Sequence, residues 1–178
     1  MIFRKYLPNY FSLTLQSYSN APTNGETLNL MSIQYYSFTT PNMLPATEEE
    51  RVVDFLFKHL DQFGDAREDI QKCMNYALGR DSKPGGLILT AKDQEQVVGA
   101  VILNKTGMHD YIPENILVYI ATHGDYRGQG IGKQLMMNSI EQAEGNIALH
   151  VEPDNPAKKL YEKLGFTNKY LEMRLNKK

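Results

Sequence analysis

The chain has 178 residues, 42% of them hydrophobic and 22% charged, enough to bury the core of one soluble globular domain. Nineteen Lys and Arg against 21 Asp and Glu leave no net field to draw in nucleic acid or an anionic membrane. No stretch reaches the ~18 consecutive apolar residues of a membrane span. The single cysteine, Cys73, excludes an internal disulfide, and no Cys/His spacing suits zinc, so no metal and a reducing, cytoplasmic setting are expected.

In chain order, residues 1–31 read as an extension and 32–178 as the domain. Met1 to Asn24 carries Arg4, Lys5 and several serines without an acid, weakly like a transit peptide, but Pro8 and Asn9 interrupt any secretory apolar run. The plainer expectation is a disordered extension, or a start upstream of the native one, with Met31-Ser32 as the beginning. Ile33 to Phe38 suits a first strand. Thr47 to Glu50 has the pattern of a capping box, and Val53, Leu56, Phe57 and Leu60 follow at helical spacing, ending the helix near Asp61 to Gly64. Asp65-Ala66-Arg67-Glu68 repeats the capping pattern before a stripe of Ile70, Cys73, Met74 and Ala77 that carries a second helix to Gly79. Cys73, on that stripe, is expected to be a buried core thiol. Leu87 to Thr90 and Val97 to Leu103 predict a hairpin across the polar Lys92 to Gln96.

Ile116 to Ala121 is a six-residue apolar run of the kind found in a strand buried on both faces. It leads into Tyr126-Arg127-Gly128-Gln129-Gly130-Ile131-Gly132-Lys133, three alternate glycines running into a helical sequence, Gln134 to Glu144. Glycines lacking Cβ let successive N–H groups point into one concavity, and a helix start adds partial positive charge, so the stretch suits a pyrophosphate. The nucleotide-triphosphate loop is excluded twice, because Arg127 and Gln134 stand where it needs Gly and Ser or Thr. The dinucleotide fingerprint fails at Lys133, where it needs its third glycine.

The remaining pattern, Arg127-x-x-Gly130-x-Gly132, resembles the acyl-CoA pyrophosphate loop of the GNAT superfamily of N-acyltransferases. Leu149 to Phe166 resembles the same family's strand, loop, Asn, short helix, Leu-Tyr and Gly-Phe ending. The resemblance is strong over Ile116 to Phe166 and extends to Ser32 to Lys105 by element order only. It implies an α/β (α+β) fold: a mixed, mostly antiparallel sheet with splayed parallel central strands, flanked by about four helices. A strand from Ile147 to Val151, a fourth helix and a terminal strand from Tyr170 to Leu175 complete the expected order.

The resemblance also implies acetyl-CoA as cosubstrate and an amine acceptor, a small molecule or a peptide. Ile120, Ala121 and Thr122 would meet the pantetheine arm, although a buried strand end explains the same residues. Arg127 opens the matched loop. Gly128, Gln129, Gly130, Ile131, Gly132 and Lys133 would hold the pyrophosphate through backbone N–H groups. Tyr161 matches the family's general acid, while its stripe with Ala157, Leu160 and Leu164 is also that of a core aromatic. Asn155 would bond the pantetheine arm or turn the loop. His150 is a candidate base acting through water, Glu152 the alternative on the same strand face, and His123 a third. Asp61, Asp65, Glu68 and Asp69 could attract a cationic amine, or serve as caps and solvated charges.

The leading reading is therefore an N-acetyltransferase acting by direct attack in a ternary complex; the alternative is a non-catalytic acyl-CoA-binding or sensing module. One departure stands out. The family usually ends in two long antiparallel strands, whereas twelve residues follow Phe166, too few for two strands of ~5–6 residues plus a loop. The acceptor side is then either open or completed by a second copy in a homodimer.

Overall fold

The computed structural model describes residues 33–39 and 44–177. The expected extension, residues 1–31, and Ser32 lie outside the described residues. Five strands form one sheet in the order β1-β2-β3-β4-β5: β1 Gln34–Phe38, β2 Gly86–Asp93, β3 Gln96–Lys105, β4 Asn115–Thr122 and β5 Ile147–Leu149. The first three pairings are antiparallel and the β4/β5 pairing is parallel. The helices are α1 Ala46–His59, α2 Arg67–Ala77, α3 Ile131–Gln142 and α4 Lys158–Lys163. The mixed sheet and four helices are the expected architecture. Among the described residues no helix is long and apolar enough to cross a membrane, and no group of His, Cys, Asp or Glu could hold a metal.

The sheet separates two apolar cores. On one face α1 and α2 bury Val52, Val53, Leu56, Ile70 and Met74 against Ile88, Ala100, Ile102, Tyr119 and Ala121. On the other, Ile131, Leu135 and Met136 of α3 and Tyr161 of α4 pack on Leu89, Val98, Val101, Leu103 and Leu117. Cys73 is buried in the first core, and burial pushes its thiol up to about 12. That environment keeps it protonated and inert, as its helical stripe predicts.

Four local expectations need correction. The Thr47 capping box does not form: α1 starts two residues earlier, capped by Pro45, whose carbonyl accepts the N–H groups of Glu48 and Glu49 at 2.9 and 3.0 Å. The glutamates instead tie α1 to its surroundings, Glu48 pairing with Arg51 and Lys92 and the buried Glu49 with Arg80 at 2.6 Å. Nor does Asp65 cap α2. Ala66 does so through its carbonyl, leaving the Asp65 carboxylate to accept from the Tyr119 hydroxyl at 2.6 Å.

The other two corrections concern the far side of the sheet. β5 stops at Leu149 instead of Val151, because the chain turns at once, with the Asn155 N–H donating to Glu152 O. No terminal strand forms over Tyr170–Leu175, and residues 167–177 are exposed without regular structure. A period-2 pattern makes a strand only where an edge accepts it, and this segment lies unpaired.

Candidate active site

The site grows from one irregularity in β4. Leu103 pairs with Leu117 and Ile102 with Tyr119, so Val118 is an extra residue, a β-bulge. The bulge turns Tyr119 and Ala121 toward the α1/α2 core while Leu117 faces α3. It also sits where β4 leaves β5, since their parallel pairing covers only Asn115 to Leu117 against Ile147 to Leu149. Beyond it, among the described residues, no strand pairs with Val118 to Thr122 on the β5 side. The expected burial of this strand on both faces is therefore only half met: its buried residues alternate with half-buried ones. An extended ligand could bond that backbone edge, which includes Ile120, Ala121 and Thr122, although the Thr122 carbonyl already accepts from Arg127 Nε at 3.4 Å.

After β4 the chain makes one 3-10 turn over Gly124–Tyr126 and enters the glycine loop. Gly128 and Gly130 hold φ of +78° and +86°, the left-handed region that other residues adopt at a cost, and a Cβ at either would meet nothing within 4 Å. Open space therefore lies over both. Gly130 caps α3 with no side-chain hydrogen bond and no acid in the first turn, so the amides of Ile131, Gly132 and Lys133 have no partner among the described residues. This α3 start sits close to the sheet because β3 has Gly99 beneath it. A Cβ there would lie 2.9 Å from Ile131 and 2.8 Å from Leu135. Gly99 was not singled out in the sequence; an isolated glycine in an apolar strand is its only signal there.

Arg127 has a different place from its loop neighbours. Its guanidinium donates to the Asp61 carboxylate at 2.8 Å and to the His59 carbonyl at 3.4 Å, joining the glycine loop to the end of α1. The His59 ring stacks on His123 at 4.4 Å and on Phe55 at 4.7 Å. Burial, then the neighbouring His123, lowers the His59 pKa. His123 accepts the Asp125 N–H through Nδ1 at 3.3 Å. These histidines thus stand at the mouth of the gap, on its α1 side.

Tyr161 lies on α4 beside the loop: Leu160 comes within 3.9 Å of where a Gly132 Cβ would be. The Tyr161 ring is buried against the α3 core and meets Phe166 edge-on at 6.0 Å. Burial alone pushes its phenol up to about 12, and no described residue hydrogen-bonds its hydroxyl. The ring is thus a core aromatic, and its hydroxyl is unclaimed by the described residues. Asn155 accepts the Ala157 N–H at 2.9 Å, which is loop-turning work, with its amide NH₂ left over. His150 and Glu152 lie exposed beyond the end of β5, so the strand alternation expected to aim both into the gap is missing.

Across the gap stands the pair that sequence reasoning missed. Tyr119 is buried under the α1/α2 turn, and burial together with the Asp65 carboxylate drives its phenol well above the ordinary range. Fifty-four residues separate the partners, so no local pattern announces them. Of the other acids in that turn, Asp61 is taken by Arg127 and Asp69 pairs with Lys72.

The short parallel pair, the glycine loop and the uncapped start of α3 thus lie together. Residues 84–168 match the family of acetyltransferase (GNAT) domains. That stretch is just under half of the chain, and the fold around it is GNAT-type. Among curated proteins none matches the sequence. Similar solved structures include a transcriptional regulator from Bacillus halodurans C-125, 22% identical with TM-score 0.57, covering 74% of this chain and 95% of that one. Another is a ribosomal-protein-alanine N-acetyltransferase from Brucella melitensis biovar Abortus 2308, 17% identical with TM-score 0.55, covering 82% and 99%. A third is the aminoglycoside N-acetyltransferase AAC(6')-Iy in complex with CoA, 15% identical with TM-score 0.58, covering 82% and 94%.

Proposed function

We propose that this domain transfers an acetyl group from acetyl-CoA to a primary amine by direct attack while both substrates are bound. The observation that carries this reading is the open, uncapped amide cradle from Gly128 to Lys133 set beside the free edge of β4. Two left-handed glycines with nothing above them, a helix start without an acid and the exposed Lys133 suit a pyrophosphate. Acetyl-CoA, when bound there, supplies the thioester that the amine attacks. Ile120, Ala121 and Thr122 offer the pantetheine arm a strand edge to extend, and the Asn155 amide is a further donor.

Tyr161 acts on the departing sulfur. A phenol near pKa 12 is a weaker acid than a thiol near ~8.5. It therefore stabilises the leaving thiolate by donating a hydrogen bond, and the thiolate takes up its proton from water as the site opens. The exposed His150 accepts the proton lost by the amine through water, with Glu152 and His123 as alternatives. Asp65, Glu68 and Asp69 give the α1/α2 side a negative character that favours a cationic acceptor before it deprotonates. Two structures similar in fold are N-acetyltransferases of ribosomal-protein alanine and of aminoglycosides, which supports nitrogen as the acceptor atom.

The test is thiol release from acetyl-CoA against a panel of amines, amino acids, aminoglycosides and peptides, with Tyr161→Phe alongside. The account expects at least one competent amine, and a fall in turnover of ~10²- to 10⁴-fold in Tyr161→Phe with CoA affinity barely changed. Equal turnover in the variant would remove Tyr161 from the chemistry. CoA binding without acetylation of any amine would favour the sensing module.

A further inference from the structure

Arg127 stands in the glycine loop, yet every hydrogen bond its guanidinium makes among the described residues goes to another element. Its Nη2 donates to the Asp61 carboxylate at 2.8 Å and to the His59 carbonyl at 3.4 Å, and its Nε donates to the Thr122 carbonyl at 3.4 Å. His59 ends α1 and Thr122 ends β4, so one side chain ties the loop to both. The residue before it holds the other flank: the Tyr126 hydroxyl donates to Asp93, the last residue of β2, at 2.8 Å. The backbone of Gly128 and Gln129 makes no hydrogen bond among the described residues. These two side-chain ties therefore set where the N–H groups that follow them point. Asp61 is itself held in an uncommon conformation, with φ of +52°, in the left-handed region that L residues adopt at a cost. Strain kept at such a position points to a function for the side chain it presents.

We propose that Asp61 and Arg127 are positioning residues for CoA: the pair fixes the loop so that the amides of Gly128 to Lys133 meet the pyrophosphate, and the guanidinium itself does not bind the phosphates. This rests on the reading of Gly128 to Lys133 as the pyrophosphate site. The two possible roles of Arg127 differ in sign. A guanidinium that bound phosphate would be shared between the ligand and Asp61, so removing Asp61 would release it and tighten CoA. A guanidinium that holds the loop needs Asp61, so removing Asp61 loosens CoA. The pairing also cancels the charge of Arg127 locally, which leaves the loop amides, the start of α3 and Lys133 to attract the anion. Asp61 thus serves CoA binding without carrying a group that an anion would meet.

Calorimetric titration of CoA into the whole chain, Asp61→Gly, Arg127→Gln and the double variant tests this. Glycine suits the left-handed backbone at 61, and the double variant has the net charge of the unaltered chain. Each single variant should bind CoA about fivefold more weakly, the size of one well-held exposed pair, and the double variant no more weakly than either. The melting temperature without CoA should barely move, because the side chains are 55% and 57% exposed. Hydrogen exchange of the free chain should quicken at the amides of 128–133 in Asp61→Gly. Tighter or unchanged CoA binding in Asp61→Gly overturns the proposal. Opposite effects of the single variants that cancel in the double variant overturn it too, since they mark a long-range field. Exchange needs no CoA, so the two readings fail separately. An unaltered chain that binds no CoA overturns the pyrophosphate site and this role with it, whereas CoA binding with unchanged loop exchange in Asp61→Gly overturns the role of the pair alone.

Discussion

The two strands that flank the central gap are held very differently. β4 is paired with β3 from Asn115 to Thr122, underlain by Tyr119 and Ala121 in one core and Leu117 in the other, and followed by a loop anchored through Arg127 to Asp61. β5 is three half-exposed residues long, and the chain beyond α4 contributes no strand. The side proposed for the cofactor is thus built in advance, and the side proposed for the acceptor is left open. A phosphate cradle works through fixed amides and gains nothing from mobility, whereas an acceptor must enter and leave.

Perturbing the rigid side should therefore be costly. The largest effect belongs to Gly86→Ala, because a Cβ at Gly86 would lie 1.9 Å from the Leu103 carbonyl oxygen, a backbone atom with no rotamer to escape into. The β2/β3 ladder must part, and a loss of ~3 kcal/mol in denaturant unfolding is expected. A variant of native stability would mean that the strands are not so closely paired. Glu49→Gln comes next. It leaves Arg80 without its buried carboxylate, but Arg80 is 40% exposed and can turn to water, so about 1–3 kcal/mol is expected by the same measurement. A change within experimental error would show that the pair adds nothing to the seating of α1.

The smallest effect lies at the seam where α1 meets the end of β4. The pKa of His59 is lowered in the fold, so the unfolded chain takes up its proton first as pH falls. Its contribution is fully present above the unfolded pKa of ~6.5 and is lost as pH falls through the lower folded value. His59→Phe keeps the stack between Phe55 and His123 and removes the titration. Its stability should fall less steeply from pH 7 to 5 than that of the unaltered chain. Identical slopes would place the acid sensitivity elsewhere.

The same contrast decides what was legible in the sequence. The glycine loop could be read because the left-handed backbone at Gly128 and Gly130 admits few other residues. The hairpin and the Cys73 stripe were legible for a similar reason, since alternation and helical spacing act locally. Helix starts were misread because Thr47 and Asp65 could cap but Pro45 and Ala66 did so through backbone carbonyls, which every residue has. The bulge at Val118 was hidden because an all-apolar strand shows no break in pattern when one residue is inserted. Tyr119 with Asp65, and Gly99 under α3, depend on elements meeting in space. The strand expected from Tyr170 to Leu175 rested on its own alternation, and the segment does not pair with the edge that the three-residue β5 offers.

The central claim is that the Gly128–Lys133 loop binds the pyrophosphate of CoA, and melting curves with and without CoA test it most directly. At one hundred times its dissociation constant CoA should add ~2.7 kcal/mol, a rise of roughly 5–10 °C for a chain of this size. Gly130→Asp keeps a residue that tolerates the left-handed conformation and has room for its side chain, but it sets a negative charge in the cradle. The account predicts a folded Gly130→Asp variant whose melting point CoA no longer moves; a folded variant that CoA stabilises as much as the unaltered chain would contradict it.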